Sequence, residues 1–245
     1  ELRERIRRRV EQAAGWAAQP GGFDAAARKD PACDWLASRW QDDAALRRAD
    51  AGRLQLGLAE LDSAPIGTLH SLCQRILRDA PLEGGGQFEP GELIAAADLI
   101  DECARDLIRV ASDDAQDAAS LPSLETLTRE LKVLLRPGVV LGTQDEAVAL
   151  AQRRDRAARW CRERLAARNQ RTFDTLITDA KAALEAHPAL ARRLCEAWPV
   201  ALVDEFQDTD AQQYGVLDAL YRDEAGWRGR LVMIGDPKQA IYGFR

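Results

Sequence analysis

Two short apolar runs, each followed directly by acidic residues or by glycine and aspartate, constrain the fold of this chain most. Residues 200–203 (VALV) are followed by Asp204-Glu205, and residues 231–234 (LVMI) are followed by Gly235-Asp236. Between them, residues 210–221 place apolar side chains with helical spacing. A strand, a helix and a strand within about 35 residues predict a βαβ unit with parallel strands and a right-handed crossover, and the composition of the first run predicts that its strand is buried.

Apolar residues with helical spacing occupy most of the remaining chain, and a break rich in glycine and proline interrupts them at residues 81–91. Residues 84–168 carry no motif that suggests chemistry, so we expect an α-helical insertion there. The sequence therefore predicts an α/β fold in three parts, residues 1–83, 84–168 and 169–245. Within these parts we expect helical segments at residues 1–19, 31–62, 69–77, 93–107, 124–135, 145–168, 173–184 and 189–198.

Charge and cysteine content exclude several kinds of site. The net charge is −6, which argues against attachment to nucleic acid by bulk charge but not against a local basic groove. Five cysteines are dispersed along the chain, and two histidines offer little for a metal cluster. We therefore expect reduced thiols in a cytoplasmic protein rather than a disulfide framework or a zinc site. No apolar run approaches the length of a membrane span, so no membrane contact is expected.

The acidic residues behind the first strand are the strongest candidates for chemistry. Ligands of parallel α/β sheets bind at the carboxyl ends of the strands. An aspartate there can hold Mg²⁺ through its water shell, and a glutamate one residue later can deprotonate the water that attacks a phosphate. Asp204 and Glu205 occupy these two positions, which is a Walker B arrangement. The alternative is that the acids only mark the point where the chain leaves the sheet.

Polar and aromatic residues behind both strands favour the chemical interpretation. Gln207 follows the acids in a polar cluster that packing alone does not explain. Gln239 can hydrogen-bond a phosphate oxygen and so respond when that phosphate is lost. Tyr242, Phe244 and Arg245 alternate aromatic and cationic groups, which stack on bases and hold phosphates. For Tyr242 and Phe244 the alternative is packing in the core.

These segments resemble the motifs of one helicase family. Residues 204–209 (DEFQDT) are similar to motif II of the UvrD-like, superfamily 1 DNA helicases, and residues 235–245 (GDPKQAIYGFR) are similar to motif III. Residues 66–73 (IGTLHSLC) resemble the family's Thr-Phe-His segment, which meets single-stranded DNA. Residues 171–174 resemble its Phe-Asp element, and residues 1–6 resemble the tail of motif Ia. Within the family, the amino-acid sequences of motifs II and III are most similar to those of the RecB group.

The resemblance implies a fold and roles for the residues near the nucleotide. The fold would be a RecA-like P-loop NTPase sheet, incomplete in this chain, with residues 84–168 as a helical subdomain of the 1B type. Asp204 would hold Mg²⁺, and Glu205 would be the catalytic base. Gln207 and Gln239 would lie near ATP, and Gln239 would couple the state of the γ-phosphate to the grip on DNA.

The same resemblance implies a set of DNA contacts, which are Thr68, His70, Tyr242, Phe244 and Arg245. Leu69 stands where the family often has phenylalanine, so the chain departs from the pattern at a possible stacking position. For His70 the alternative is a side chain bonded to backbone at a helix start.

Cofactors and partners follow from the resemblance as well. They would be ATP and Mg²⁺, single-stranded DNA and duplex DNA ends, and RecC- and RecD-like subunits. The activity would be ATP-driven 3′-to-5′ movement in double-strand-break repair and recombination, with an exonuclease in another domain. Two alternatives are a motor of the AddA or UvrD type, and a binding module on the same fold without ATPase activity.

The chain lacks one motif that every such motor needs. A P-loop requires Gly-Lys-Ser/Thr, and no lysine of this chain follows a glycine. The chain also opens within a helical stripe without an initiator methionine, and it ends directly behind the motif III segment. We therefore expect an internal piece of a longer motor, without ATPase activity of its own.

Overall fold

The computed structural model describes residues 1–19, 29–41, 43–80, 91–111, 121–136, 139–142 and 145–240. The chain forms two compact units, residues 1–68 and residues 69–245. Three of the predicted DNA contacts, Tyr242, Phe244 and Arg245, lie outside the described residues. None of the described helices combines the length and the apolar character needed to cross a bilayer.

Helices make up the described part of the first unit, in agreement with the sequence. They are α1 (Leu2–Ala18), α2 (Pro31–Trp40) and α3 (Ala44–Glu60). Aspartates begin the second and third of these: Asp30 accepts from the amide of Ala32 at 2.9 Å, and Asp43 caps α3 in the same way. Such side chains satisfy amides that have no partner within the helix.

Asp50 joins α2 to α3 inside the first unit. It is 8% exposed and accepts hydrogen bonds from Arg39 Nε at 2.7 Å, Trp40 Nε1 at 3.0 Å and Arg53 Nη1 at 2.9 Å. The hydrogen bond from Arg39, followed by that from Trp40, holds the pKa of Asp50 well below its ordinary value, although burial opposes this. A carboxylate with a lowered pKa stabilises the folded state above its unfolded pKa.

The substitution Asp50→Asn is expected to lower the thermal midpoint of the first unit at neutral pH. The difference from the parent should shrink progressively as the pH falls below about 4, because the unfolded carboxyl takes up its proton near that pH while the folded carboxylate keeps its charge to a lower pH. Thermal unfolding followed by circular dichroism at pH 7 and pH 3.5 measures both effects. The control is Asp62→Asn, since Asp62 pairs with Arg7 while 78% exposed. Equal melting of both variants at neutral pH would contradict the prediction.

The second unit has a helical core that supports its strands. The core helices are α4 (Leu69–Asp79), α8 (Phe173–Ala186), α9 (Pro188–Ala197) and α10 (Ala211–Tyr221). Their buried faces share one apolar cluster, in which Ile76, Leu184 and Leu217 are almost completely excluded from solvent. A capping box begins α8 at Thr172, and a second begins α10 at Asp210. The helices predicted at residues 69–77, 173–184, 189–198 and 210–221 are confirmed.

A helical lobe, defined as α5 (Ala96–Ala111), α6 (Leu124–Leu134) and α7 (Asp145–Ala167), forms a separate apolar cluster within this unit. Two strands, β1 (Glu92–Leu93) and β2 (Gln170–Arg171), pair in parallel where the chain enters and leaves the lobe. Gly91 is required there, because a Cβ atom would lie 2.6 Å from the carbonyl oxygen of Asn169. The helical character predicted for residues 84–168 holds for the described part of that range, whereas the two-residue strands were too short to predict.

Strands β3 (Val200–Val203) and β6 (Arg230–Met233) pair in parallel, with Val203 opposite Met233. The prediction that these runs are neighbouring parallel strands is therefore confirmed. Between α10 and β6 the chain adds a small antiparallel hairpin, β4 (Arg222–Asp223) with β5 (Gly226–Trp227), which the sequence analysis missed.

The prediction that the first strand, β3, is buried is wrong. Ala201, Val203 and Leu231 pack against the helical core, but Val200 is 47% exposed and Leu202 is 70% exposed. A strand in a parallel sheet is buried when helices cover both faces. Here, within the described residues, the core covers one face of a two-stranded pair.

Candidate functional site

The carboxyl ends of β3 and β6 lie side by side and continue their pairing beyond the strands. The amide of Ile234 donates to the carbonyl of Val203 at 2.8 Å, and the amide of Phe206 donates to the carbonyl of Ile234 at 2.8 Å. These two bonds hold the segment behind β3 against the segment behind β6. The two segments that resemble motifs II and III therefore meet at this edge of the sheet.

Glu205 has an unusual backbone conformation at this edge. Its φ and ψ are 51° and 42°, in the left-handed region, which costs a non-glycine residue about 1–2 kcal/mol. The side chain of Asp204 accepts a hydrogen bond from the Glu205 amide at 3.0 Å, and both side chains are exposed. Such strain is maintained only where the surroundings determine the conformation, and it is frequent at active sites.

Gln207 joins the two motifs through both ends of its side-chain amide. Its Nε2 donates to Glu205 Oε2 at 2.5 Å, and its Oε1 accepts from the amide of Asp236 at 3.1 Å. One side chain therefore orients the candidate base and is itself positioned by the segment behind β6. Because the amide bonds at both ends, its orientation is determined.

Asp236 extends this path to Gln239. Asp236 begins the 3₁₀ turn Pro237–Gln239, and its Oδ1 accepts from the amide of Lys238 at 3.0 Å. Its Oδ2 accepts from Gln239 Nε2 at 3.1 Å. A chain of hydrogen bonds thus runs from Glu205 through Gln207 and Asp236 to Gln239.

Gly235 allows the close approach that this path needs. A Cβ atom at this position would lie 2.4 Å from Gln207 Oε1 and 3.1 Å from the amide nitrogens of both Gln207 and Phe206. The glycine is therefore required for its missing side chain, which leaves room for Gln207.

Helix α10 anchors the segment that carries Gln207. Asp210 accepts from the amides of Gln212 at 2.9 Å and Gln213 at 2.8 Å, and Phe206 meets Tyr214 edge to face at 6.1 Å. The turn that holds Gln207 is thus fixed at one end by β3 and at the other by a capped helix.

The donor chemistry of Asp204 suits a hard cation. Its exposed carboxylate stands at the carboxyl edge of the strand pair, open to the several waters that Mg²⁺ retains. Among the described residues, no three or more His, Cys, Asp or Glu side chains are grouped so that they could hold a metal ion. Asp204 therefore fits a single carboxylate ligand of a hydrated ion better than a metal cage made only of protein.

Of the predicted DNA contacts, the structure describes Thr68 in the first unit and His70 in the second. Thr68 is exposed at the end of the first unit. His70 is half-buried in the first turn of α4 and meets the ring of Phe173 edge to face at 5.2 Å. Phe173, at the start of α8, is 51% exposed. An exposed aromatic ring thus adjoins His70, although the sequence places leucine at position 69.

Two features of this site were missed at the level of sequence. Asp236, which positions Gln239, was given no role, and Gln207 was expected near the nucleotide without its bond to Glu205. The aspartate could have been found from the sequence, because Asp followed by Pro often begins a 3₁₀ or helical turn. The Gln207 bond depends on strand pairing and carries no local signal.

The structure defines a mostly helical α/β domain with a parallel strand pair whose carboxyl edge carries acidic and amide side chains. The model of the UvrD/REP helicase N-terminal domain matches residues 1–245. This chain belongs to the UvrD/REP helicase family.

Relatives within that family carry one name. The chain is 34% identical over 251 residues to the RecBCD enzyme subunit RecB of Mycobacterium tuberculosis, covering 100% of the chain and 22% of that protein. It is 34% identical over 205 residues to the subunit of the same name from Mycolicibacterium smegmatis, covering 81% of the chain and 19% of the relative. The Escherichia coli protein of that name is 40% identical over 99 residues, 40% of the chain and 8% of the relative. The predicted resemblance to the RecB group is confirmed, and the chain spans about a fifth of the length of the mycobacterial relatives.

Proposed function

We propose that this chain is part of the motor of an ATP-dependent DNA helicase of the RecB type, which acts in double-strand-break repair and recombination. The observation that carries the proposal is the hydrogen-bonded path from Glu205 through Gln207 to Asp236 and Gln239. It joins a candidate base to a candidate phosphate sensor across the carboxyl edge of parallel strands, where ligands of such sheets bind.

Each residue of the path has a separate task in this proposal. Bound Mg²⁺-ATP supplies the phosphoanhydride bond whose hydrolysis drives movement. Asp204 holds the hydrated cation, and Glu205 accepts the proton of the attacking water. Gln239 hydrogen-bonds the phosphate group and passes its presence or loss through Asp236 to Gln207.

Single-stranded DNA is proposed to contact His70 and Phe173 in the second unit, and Thr68 in the first unit is a separate predicted contact. Bases stack on exposed aromatic rings at about 1–3 kcal/mol each, and Phe173 offers such a ring beside His70. Tyr242, Phe244 and Arg245 remain predicted contacts of the same strand, with the aromatic rings stacking and the guanidinium pairing with phosphate.

Partner subunits are proposed from the relatives, whose printed names place them in the RecBCD enzyme. By that relationship the full-length protein assembles with RecC- and RecD-like subunits at duplex DNA ends. An exonuclease activity of the assembly is part of the same proposal.

ATP hydrolysis with and without single-stranded DNA tests the function. The full-length protein is expected to hydrolyse ATP faster when DNA is added, and the isolated chain of 245 residues is expected to show no measurable turnover. The isolated chain lacks a P-loop. It therefore offers neither the P-loop lysine nor the P-loop backbone amides that neutralise the β- and γ-phosphates. Its net charge of −6 adds no long-range attraction to DNA phosphates. A full-length protein without DNA-stimulated hydrolysis would contradict the proposed function, and turnover by the isolated chain would contradict the second expectation.

The substitution Gln207→Glu in the full-length protein tests whether Gln207 positions Glu205. It keeps an oxygen for the Asp236 amide but replaces the donor to Glu205 by a second carboxylate. A hydrogen bond to a charged group contributes about 1.5–3 kcal/mol, so kcat should fall about tenfold or more while KM for ATP changes little. Two adjacent carboxylates at this edge disfavour the state in which both are charged, so the acidic limb of the kcat profile should move to higher pH.

Gln152→Glu is the matched control, because it adds the same charge on an exposed position of the helical lobe. It is expected to leave both kcat and its pH profile unchanged. A Gln207→Glu enzyme with parental kcat and an unshifted acidic limb would remove Gln207 from the positioning role.

A further inference from the structure

Two cysteines that lie 58 positions apart in the sequence are in contact inside the helical lobe. Cys103 Sγ on α5 and Cys161 Sγ on α7 are separated by 3.2 Å. A disulfide bond is about 2.05 Å long, so the sulfurs need to approach by only about 1.2 Å to become bonded. Cys103 is fully buried and Cys161 is half-buried, so Cys161 is the residue of the pair that lies nearer to solvent.

The surroundings of the pair favour a thiolate. Arg164 Nη1 lies 3.2 Å from Cys103 Sγ, although the guanidinium also pairs with Asp106 and approaches Glu102 at 4.0 Å. The hydrogen bond from Cys161, followed by that from Arg164, lowers the pKa of Cys103 to about 7 in spite of burial. The same contact, followed by burial, raises the pKa of Cys161, so the negative charge of the pair lies on Cys103 and Cys161 holds the shared proton.

We propose that Cys103 and Cys161 form an oxidation site at which a hydroperoxide converts two thiols into a disulfide that links α5 to α7. The contact between the sulfurs and the partial exposure of Cys161 carry this assignment. Arg164 stabilises the charge on Cys103, and this thiolate can accept the proton of Cys161 as the Cys161 sulfur reacts.

The reaction balances with one hydroperoxide as the oxidant. The Cys161 sulfur attacks the terminal oxygen while its proton passes to the Cys103 thiolate, the O–O bond breaks, and the leaving alkoxide or hydroxide takes a proton from solvent. This gives a sulfenic acid on Cys161. The Cys103 sulfur then attacks the Cys161 sulfur, the S–O bond breaks, and the hydroxide leaves as water with the Cys103 proton. Two thiols and one hydroperoxide thus yield one disulfide, one alcohol or water, and one further water.

Cys73 and Cys195 provide internal comparisons. Both are buried, and burial raises the pKa of the Cys73 thiol to about 12 and that of Cys195 above its ordinary value. Thiols in apolar surroundings with raised pKa values react slowly with oxidants. Selectivity for the Cys103–Cys161 pair is therefore part of the expectation.

Peptide mapping of the reduced full-length protein after about one equivalent of hydrogen peroxide tests the proposal. Trypsin should release the tripeptide 160–162, which contains Cys161, joined to the peptide that ends at Arg105. The joined mass should lack about two hydrogens relative to the separate thiols, and dithiothreitol should restore both peptides. Cys195→Ala is the matched control and should give the same linked peptide in the same yield.

Two single variants separate the steps. Cys103→Ser should leave a sulfenic acid on Cys161 that dimedone traps, without a linked peptide. Cys161→Ser, a change at the half-buried position, should leave Cys103 unmodified at the same peroxide concentration. The proposal is overturned if the parent yields no linked peptide, or if Cys73 and Cys195 oxidise as fast as the pair. These readouts do not depend on ATPase activity, so they are distinguishable from a failure of the proposed function.

Discussion

Replacing Glu205 by glutamine in the full-length protein is expected to leave ATP binding nearly intact and to lower ATP hydrolysis by about 10²–10⁴-fold. Glutamine has the shape of glutamate, and its side-chain oxygen can still accept the hydrogen bond from Gln207 Nε2. The geometry of the edge is therefore retained, while the group that takes the proton of the attacking water is lost. Single-turnover hydrolysis and nucleotide binding by fluorescence measure the two quantities separately.

Glu224→Gln is the control for this substitution. Glu224 is exposed in the turn between β4 and β5, so the same chemical change there should alter neither binding nor hydrolysis. Near-parental turnover by the Glu205→Gln enzyme would remove Glu205 from the role of base. A loss of nucleotide binding would instead indicate that Glu205 holds the edge together.

Gly235→Ala should lower kcat by about 10²-fold with little change in thermal stability, because misplacement of catalytic groups by about 1 Å has effects of that size. The new methyl group would lie 2.4 Å from Gln207 Oε1. That oxygen ends a flexible side chain, which can turn away at small cost in folding free energy. When it turns, Gln207 loses its bonds to both Asp236 and Glu205, and the neighbouring amides at 3.1 Å are also pushed.

Gly57→Ala is the matched control, since no heavy atom lies within 4 Å of the added methyl group in α3. It should leave hydrolysis unchanged and raise the stability of the helix slightly, because alanine favours helices over glycine by about 1 kcal/mol. If Gly235→Ala and Gly57→Ala retain equal kcat, the path through Gln207 does not control the chemistry. The thermal midpoint of each variant excludes unfolding as the cause of any loss.

The substitutions at Gln207 and at Gly235 disturb the site to different degrees. Gln207→Glu removes one donor and retains the acceptor, whereas Gly235→Ala removes both bonds and also displaces backbone. The order of the expected losses in kcat is therefore Glu205→Gln first, Gly235→Ala second and Gln207→Glu third. A different order would show which residue of the path contributes more to kcat than its hydrogen bonds indicate.

Local chemistry made several elements predictable. The helices follow from the spacing of their apolar residues, and the start of α10 follows from the Asp210 capping box. The parallel pair of β3 and β6 follows from two apolar runs separated by a helix. Asp204 and Glu205 were candidates because the carboxyl ends of such strands meet at one edge. These inferences need only residues that are near one another in the chain.

Burial of β3 was predicted wrongly because burial depends on what packs against a strand rather than on the strand itself. An apolar run such as VALV has the composition of a strand covered on both faces, yet the exposed fraction of Leu202 is 70%. The same limit applies to β1 and β2, whose two residues each are too few to show a period.

The sequence by itself determined the helical segments, the parallel strand pair and the acidic residues at its edge, because each depends on side-chain pattern over a few turns or on a capping residue. Only the tertiary structure decided that Gln207 bonds to both Glu205 and the Asp236 amide, which lies 29 positions away. It likewise brought Cys103 against Cys161 across the helical lobe. Contacts between residues distant in the chain depend on strand register and helix packing, in which a shift of one residue redirects every side chain.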